Sequence, residues 1–242
     1  MQVLAQEVIR RLSTQLRSPD KTPHAPTPEE IQSFCDALVS SDAGASATMM
    51  SRIQAKGTSV TDIYIHYLAA AAGRLGEMWA TDEISFMDVT IGASRILAIL
   101  RGLRDVFRSS RPMTERAALF AAVPGEQHTI GITMAADLFR REGWDIDLIV
   151  GASHEEIIDR LGSSDASVVG LTAHGEKSLS PLLRLIPAIR IVNPAVSILI
   201  CGKIGELSDD VVSLTGADGF AGDVTSALVT MGQWHDGLAR SG

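Results

Sequence analysis

Residues 117–131 read Ala117-Ala118-Leu119-Phe120-Ala121-Ala122-Val123-Pro124-Gly125-Glu126-Gln127-His128-Thr129-Ile130-Gly131. A short apolar run stopped by Pro-Gly reads as a strand, and the amphipathic stretch that follows, near 130–142, reads as a helix. The same alternation continues to the C-terminus. Further strands are predicted at 146–150, 167–173 and 197–202, with a weak one near 219–221. Helices are predicted near 154–161, 178–192, 208–215 and 224–239. Strand–helix–strand order implies a parallel sheet with helices on both faces. Ligands of such sheets bind beyond the carboxyl ends of the strands.

Upstream of this region the pattern changes at Ser109-Ser110-Arg111-Pro112, and residues 28–110 read almost entirely as helix. Thr27-Pro28-Glu29-Glu30 is a helix start, with a capping threonine, a first-turn proline and early acids. The segment 59–79 carries an apolar series, Ile65, Leu68, Ala72, Leu75 and Trp79. Small residues stand between (Ala69 to Ala72, Gly73, Gly76) and are expected to let a neighbouring helix come close. A break at Thr81-Asp82-Glu83 precedes a helix over 85–108. Three or four helices of this length make a small bundle. Residues 1–17 have helical apolar spacing, and SPDKTPHAPTP then places four of the nine prolines in eleven residues, an extended linker. The expected division is therefore a helix and proline linker (1–27), a helical bundle (28–110) and an α/β domain (113–242).

The 242 residues are 45% hydrophobic and 21% charged, ordinary for a globular chain. Twenty-nine acids against 21 Lys and Arg leave a net charge of −8, which argues against direct phosphate-driven binding of nucleic acid. Cys35 and Cys201 are the only two cysteines, so neither a disulfide framework nor a cysteine zinc site is supported. The N-terminus lacks the apolar core of a secretory signal, and no apolar run reaches the roughly 18–20 residues that span a bilayer. A cytoplasmic protein is expected.

His128 stands on a strand-to-helix loop, where an imidazole can project from the carboxyl edge of the sheet. Glu126, two residues earlier, can hold the other ring nitrogen, which fixes the tautomer and raises the basicity of a metal-ligating histidine. Thr129 and Gly131 begin the helix, where backbone amides suit a phosphate and a glycine admits a close neighbour. These residues alone are equally compatible with a solvated loop histidine or an acid–base pair. Two further elements fall at the same edge: Thr172-Ala173-His174 at the end of the third strand, and Cys201-Gly202 at the end of the fourth.

Together the three elements resemble the cobalamin-binding domain of methionine synthase, corrinoid methyltransferase carriers and B12-dependent photoreceptors. That family has Asp/Glu-x-His-x-x-Gly, then Ser-x-Leu, then Gly-Gly at similar spacing. The resemblance implies a Rossmann-like (flavodoxin-like) sheet domain behind a helical cap. His128 is then the lower ligand of cobalt, oriented by Glu126. Gly131, Thr129, Thr172 and Gly202 line the pocket of the displaced nucleotide tail. His174 is either a polar contact to the tail or a surface residue, and Cys201, at the same pocket, reads as a small packed residue. This chain departs from the pattern with Glu126 for aspartate, Thr172 for serine, His174 for leucine and Cys201 for the first glycine. In the helical half, Leu75-Gly76-Glu77-Met78-Trp79 and Asp82-Glu83-Ile84-Ser85-Phe86, with Val89-Thr90, resemble cap helices. There Trp79 and Phe86 are expected to meet the corrin. Ala80 and Asp88-Val89 stand where adenosylcobalamin photoreceptors carry histidines, so no upper ligand from the cap is expected.

The combination is most similar to the AerR/PpaA-type antirepressors of purple photosynthetic bacteria, over roughly residues 28–240. It implies a light- or redox-responsive regulator, not an enzyme. Such a regulator binds hydroxocobalamin or another B12 form and acts on photosynthesis genes through a PpsR/CrtJ-like repressor. Two other readings share the plan: a corrinoid methyl carrier, and a haem-binding variant. His66 is expected on a solvated face, His154 at a helix start, and Asp145 and Asp147 without a special role. His24, in the linker, is able to reach an open upper face.

Overall fold

The sheet is built by five short strands: β1 (Ala117–Ala122), β2 (Asp145–Ile149), β3 (Val168–Thr172), β4 (Ser197–Cys201) and β5 (Gly219–Ala221). All neighbours pair in parallel in the order β2-β1-β3-β4-β5. In this computed structural model the described residues are 25–59, 62–103, 116–206 and 210–238. The chain divides into two compact units, Met1–Val106 and Phe107–Gly242.

Alternation along the strands sends successive side chains to opposite faces. Leu119, Ala121, Val169, Leu171, Ile198 and Ile200 pack on one side, against Ile157 and Leu161 of α6 (His154–Gly162) and Leu182, Leu185 and Ile189 of α7 (Leu179–Val192). Ala118, Phe120, Ile146, Val168 and Leu199 pack on the other. There they meet Ile132, Ala136 and Phe139 of α5 (Ile130–Arg141) and Met231 of α9 (Val224–Leu238). Between α7 and α9 lies the short α8 (Val211–Thr215). Gly170 is fixed by this packing, because a Cβ there would lie 3.0 Å from the Phe120 ring. The sheet does not close. One edge is β2, carrying Asp145 and Asp147, and Arg160 of α6 reaches back to Asp147 at 2.5 and 3.2 Å. The other edge is β5, three residues long.

The helical unit contains α1 (Pro28–Val39), α2 (Ala45–Ala55), a π-helical stretch Ile63–Leu68 running into α3 (Ala69–Ala80), and α4 (Phe86–Leu103). The start of α1 is a capping box: Glu30 N–H donates to Thr27 Oγ1, and Thr27 N–H donates to Glu30 Oε2, both at 3.2 Å. The other carboxylate oxygen of Glu30 takes Lys56 Nζ at 2.6 Å, which ties the start of α1 to the end of α2. Phe34, Leu38, Tyr64, Tyr67, Leu75, Ile96 and Leu100 are fully or almost fully buried.

The apolar series over 59–79 is divided: Leu68 and Leu75 are buried with Tyr64, Tyr67, Ala71 and Met78, whereas Trp79 is 47% exposed. The π-helical stretch changes the phase of the helix that precedes α3, which a 3.6-residue reading cannot see. Gly73 and Gly76 meet no neighbour, whereas a Cβ on Gly92 of α4 would fall 2.7 Å from Leu75. The close approach of α4 is therefore at Gly92, and α1 comes up to Ala71, whose carbonyl accepts from Cys35 Sγ at 3.7 Å. The predicted N-terminal helix, most of the proline linker, the break at 109–112 and the end of the 85–108 helix lie outside the described residues.

Candidate functional site

Sheet order brings the three loops to one place. From β1 the chain goes to β2 on one side, while β3 and its successors lie on the other. The carboxyl ends of β1 and β3 thus flank the point where an α/β sheet of this order opens a crevice. The loop after β1 begins with a turn in which Glu126 N–H donates to Val123 C=O at 2.9 Å. Pro124 fits its first central position, and Gly125, with φ +86°, occupies the second, where a positive φ is required. That turn folds Glu126 inward and leaves His128 outward: Glu126 is buried, while the His128 side chain is 65% exposed.

Glu126 is the hub. Its Oε1 accepts from the His128 backbone N–H at 2.8 Å and lies 2.5 Å from His128 Nδ1. Its Oε2 accepts from the His174 backbone N–H at 2.7 Å and from Ser178 Oγ at 2.8 Å. Burial pushes the carboxyl upward, but the His128 amide and ring, the Ser178 hydroxyl and the His174 amide outweigh it and hold the pKa at about 2. The carboxylate is thus an anion fixed on the face of His128 Nδ1, and Nε2 is the ring nitrogen it does not engage. This is the arrangement of a carboxylate-oriented metal-ligating imidazole.

The loop after β3 supplies the rest. Gly175, with φ +72°, turns the chain into the 3₁₀ turn Glu176–Ser178, which returns the Ser178 hydroxyl to Glu126. The His174 ring stacks on His128, with centroids 4.6 Å apart and planes inclined by 21°. Gly202, at the end of β4, has φ +100°; a Cβ there would lie 2.5 Å from the Ala173 carbonyl, 3.1 Å from His174 Nδ1 and 3.2 Å from Thr172 Oγ1. Only glycine leaves the chain room beside the Thr172 hydroxyl and the His174 ring.

Of the residues named from sequence, Glu126, His128, Thr172, His174 and Gly202 come together. Thr129 is the residue before α5, and Gly131 lies in its first turn with no atom within 4 Å of where a Cβ would stand, so backbone is open to a ligand there. Cys201 is different: its side chain packs on the Phe120–Phe139 cluster, and burial pushes its thiol up to about 12, which makes it a packed residue. Trp79 and Phe86 belong to the helical unit, where they form a tilted pair with centroids 6.2 Å apart, Phe86 being 71% exposed. Ser178 was not foreseen. It lies 52 residues from Glu126 and belongs to no local motif.

The residues present fit a corrin whose cobalt takes a protein imidazole: one outward, carboxylate-held histidine, and open backbone at the next helix start. Residues 116–231 match the family model described as the B12 binding domain. An uncharacterized 20.5 kDa protein from the bchF-crtJ intergenic region of Rhodobacter capsulatus is 23% identical over 183 residues, 74% of this chain and 95% of that protein. The monomethylamine corrinoid protein of Methanosarcina barkeri has the same fold, with a TM-score of 0.69 at 16% identity over 84% of this chain and 96% of that one. No helix among the described residues is long and apolar enough to cross a membrane. Residues 116–231, the α/β unit and its histidine loop, are therefore the part of this chain that matches the B12-binding domain family.

Proposed function

We propose that this chain is a cobalamin-binding, light- or redox-responsive regulator that acts through a partner repressor and not by contacting DNA. The observation that carries the reading is the Glu126–His128 pair at the carboxyl edge of a sheet that matches the B12-binding family. In this reading His128 Nε2 is the lower ligand of cobalt and Glu126 holds the ring in register. Gly131, Thr129, Thr172, His174 and Gly202 border the nucleotide tail, and Cys201 supports them from the core. Trp79 and Phe86 are the aromatic surface the helical unit offers to a flat ligand. A bound corrin would supply a cobalt ion able to exchange a ligand in response to light or reduction.

The regulatory half is supported by the relative named for the region beside crtJ and by the resemblance to antirepressors whose partner is a CrtJ-like repressor. The acidic charge agrees with action on a protein. Such a switch requires the partner to bind one state better than the other. Equal repressor affinity in lit and dark protein removes the photosensing reading.

The direct test mixes purified protein with hydroxocobalamin in the dark, desalts it and records the visible spectrum beside His128→Ala. Retained corrin absorbance, shifted and weakened in the variant, is expected. If no corrin is retained, the cobalamin reading falls, and retention of haem in the same assay would put the haem-binding variant in its place. The likeness to a monomethylamine corrinoid protein favours a second reading as a methyl carrier. Acceptance and onward transfer of a methyl group by the loaded chain distinguishes it.

A further inference from the structure

The corrin reading assigns His128 one partner, yet the same edge carries a second imidazole. A ligating atom of Glu126, one of His128 and one of His174 all lie within 4.8 Å of one another. Two imidazoles with a carboxylate suit Zn²⁺, Cu²⁺, Ni²⁺ and Co²⁺, while Mg²⁺ and Ca²⁺ take oxygen sets. From this geometry we infer that, without the corrin, His128 and His174 bind a divalent transition-metal ion, Zn²⁺ foremost, with Glu126 as the carboxylate that orients His128 and supplies negative charge.

Tetrahedral zinc with bonds of about 2.0–2.1 Å places its ligand atoms roughly 3.4 Å apart. The cluster needs a modest closing motion of the exposed His128 side chain, with Glu126 anchored by two backbone amides. A side chain at position 202 would crowd His174, since a Cβ there would lie 3.1 Å from its Nδ1. His174 lies on the loop after β3 and His128 on the loop after β1, so the ion would join two loops that Glu126 already links. The ion site stands without the corrin reading. Only one consequence rests on that reading: ion and corrin compete for His128.

The test uses the full chain, stripped with a chelator, titrated with ZnCl₂ by calorimetry and with Co²⁺ for its visible ligand-field bands. One ion per chain is expected, with dissociation in the micromolar range. His174→Leu weakens binding at least about tenfold, since one of two imidazoles is lost. His174→Gln, which keeps a polar side chain, is run beside it with far-ultraviolet dichroism as the folding control. His128→Ala weakens both ligands, and zinc added first slows corrin uptake. Absence of saturable one-to-one zinc binding up to about 100 μM in the wild type, or unchanged binding in both folded His174 variants, overturns the ion site. Corrin retention without zinc binding leaves the cobalamin reading intact, and zinc binding without corrin retention does the reverse.

Discussion

Glu126 concentrates the energetics of the site in one side chain. Its pKa falls from the ordinary 4.5 to about 2, so it binds fewer protons in the folded state than in the unfolded one at intermediate pH. Its contribution, up to about 3 kcal/mol, is therefore present above pH 4.5 and lost as the pH falls from 4.5 toward 2. Urea midpoints of the corrin-free chain from pH 7 to pH 3 should drop across that window, and Glu126→Gln should flatten the drop. Two glycines make an opposed pair nearby. Gly202→Ala sets a Cβ 2.5 Å from the Ala173 carbonyl at φ +100° and should cost roughly 2 kcal/mol or more. Gly131→Ala enters open space on a helical backbone and should gain up to about 0.5 kcal/mol while weakening corrin retention. Denaturation of the two variants side by side checks the sign of each.

At the scale of elements, local chemistry was the legible part. The capping box at Thr27, the Pro-Gly turn after β1 and the run of apolar strands are written in adjacent residues, and each strand starts and stops within two residues of its predicted place. The loop histidine was legible for the same reason. Contacts between distant elements were not. Nothing near Gly92 announces that Leu75 will lie against it, and nothing near Ser178 announces Glu126. The stacking of His174 on His128 likewise depends on β1 and β3 being neighbours, which sequence spacing alone does not encode. Because the α3–α4 approach is that close, Gly92→Ala should lower stability by about 1–2 kcal/mol. The expected readout is a lower thermal midpoint, with corrin retention unchanged once the chain is folded.

For the whole molecule, charge decides what it meets. With a net charge of −8, the chain alone should give no mobility shift of promoter DNA at about 100 mM salt, and a shift should appear only when a DNA-binding repressor is present. A salt-sensitive shift by the purified chain would contradict action through a partner. The division between sheet and helices was legible because the period of the apolar pattern changes from one half of the chain to the other. The open sheet raises a separate matter. Its longer free border, β2, offers a row of unpaired amides and carbonyls that another copy is able to extend. Asp145 and Asp147 stand on that border, so two copies meeting border to border would bring four carboxylates together, and Arg160 neutralises only one on each copy. The chain thereby carries its own guard against self-association in a crowded cell. Replacing those aspartates with apolar residues would promote edge-to-edge aggregation without altering the histidine edge of the sheet.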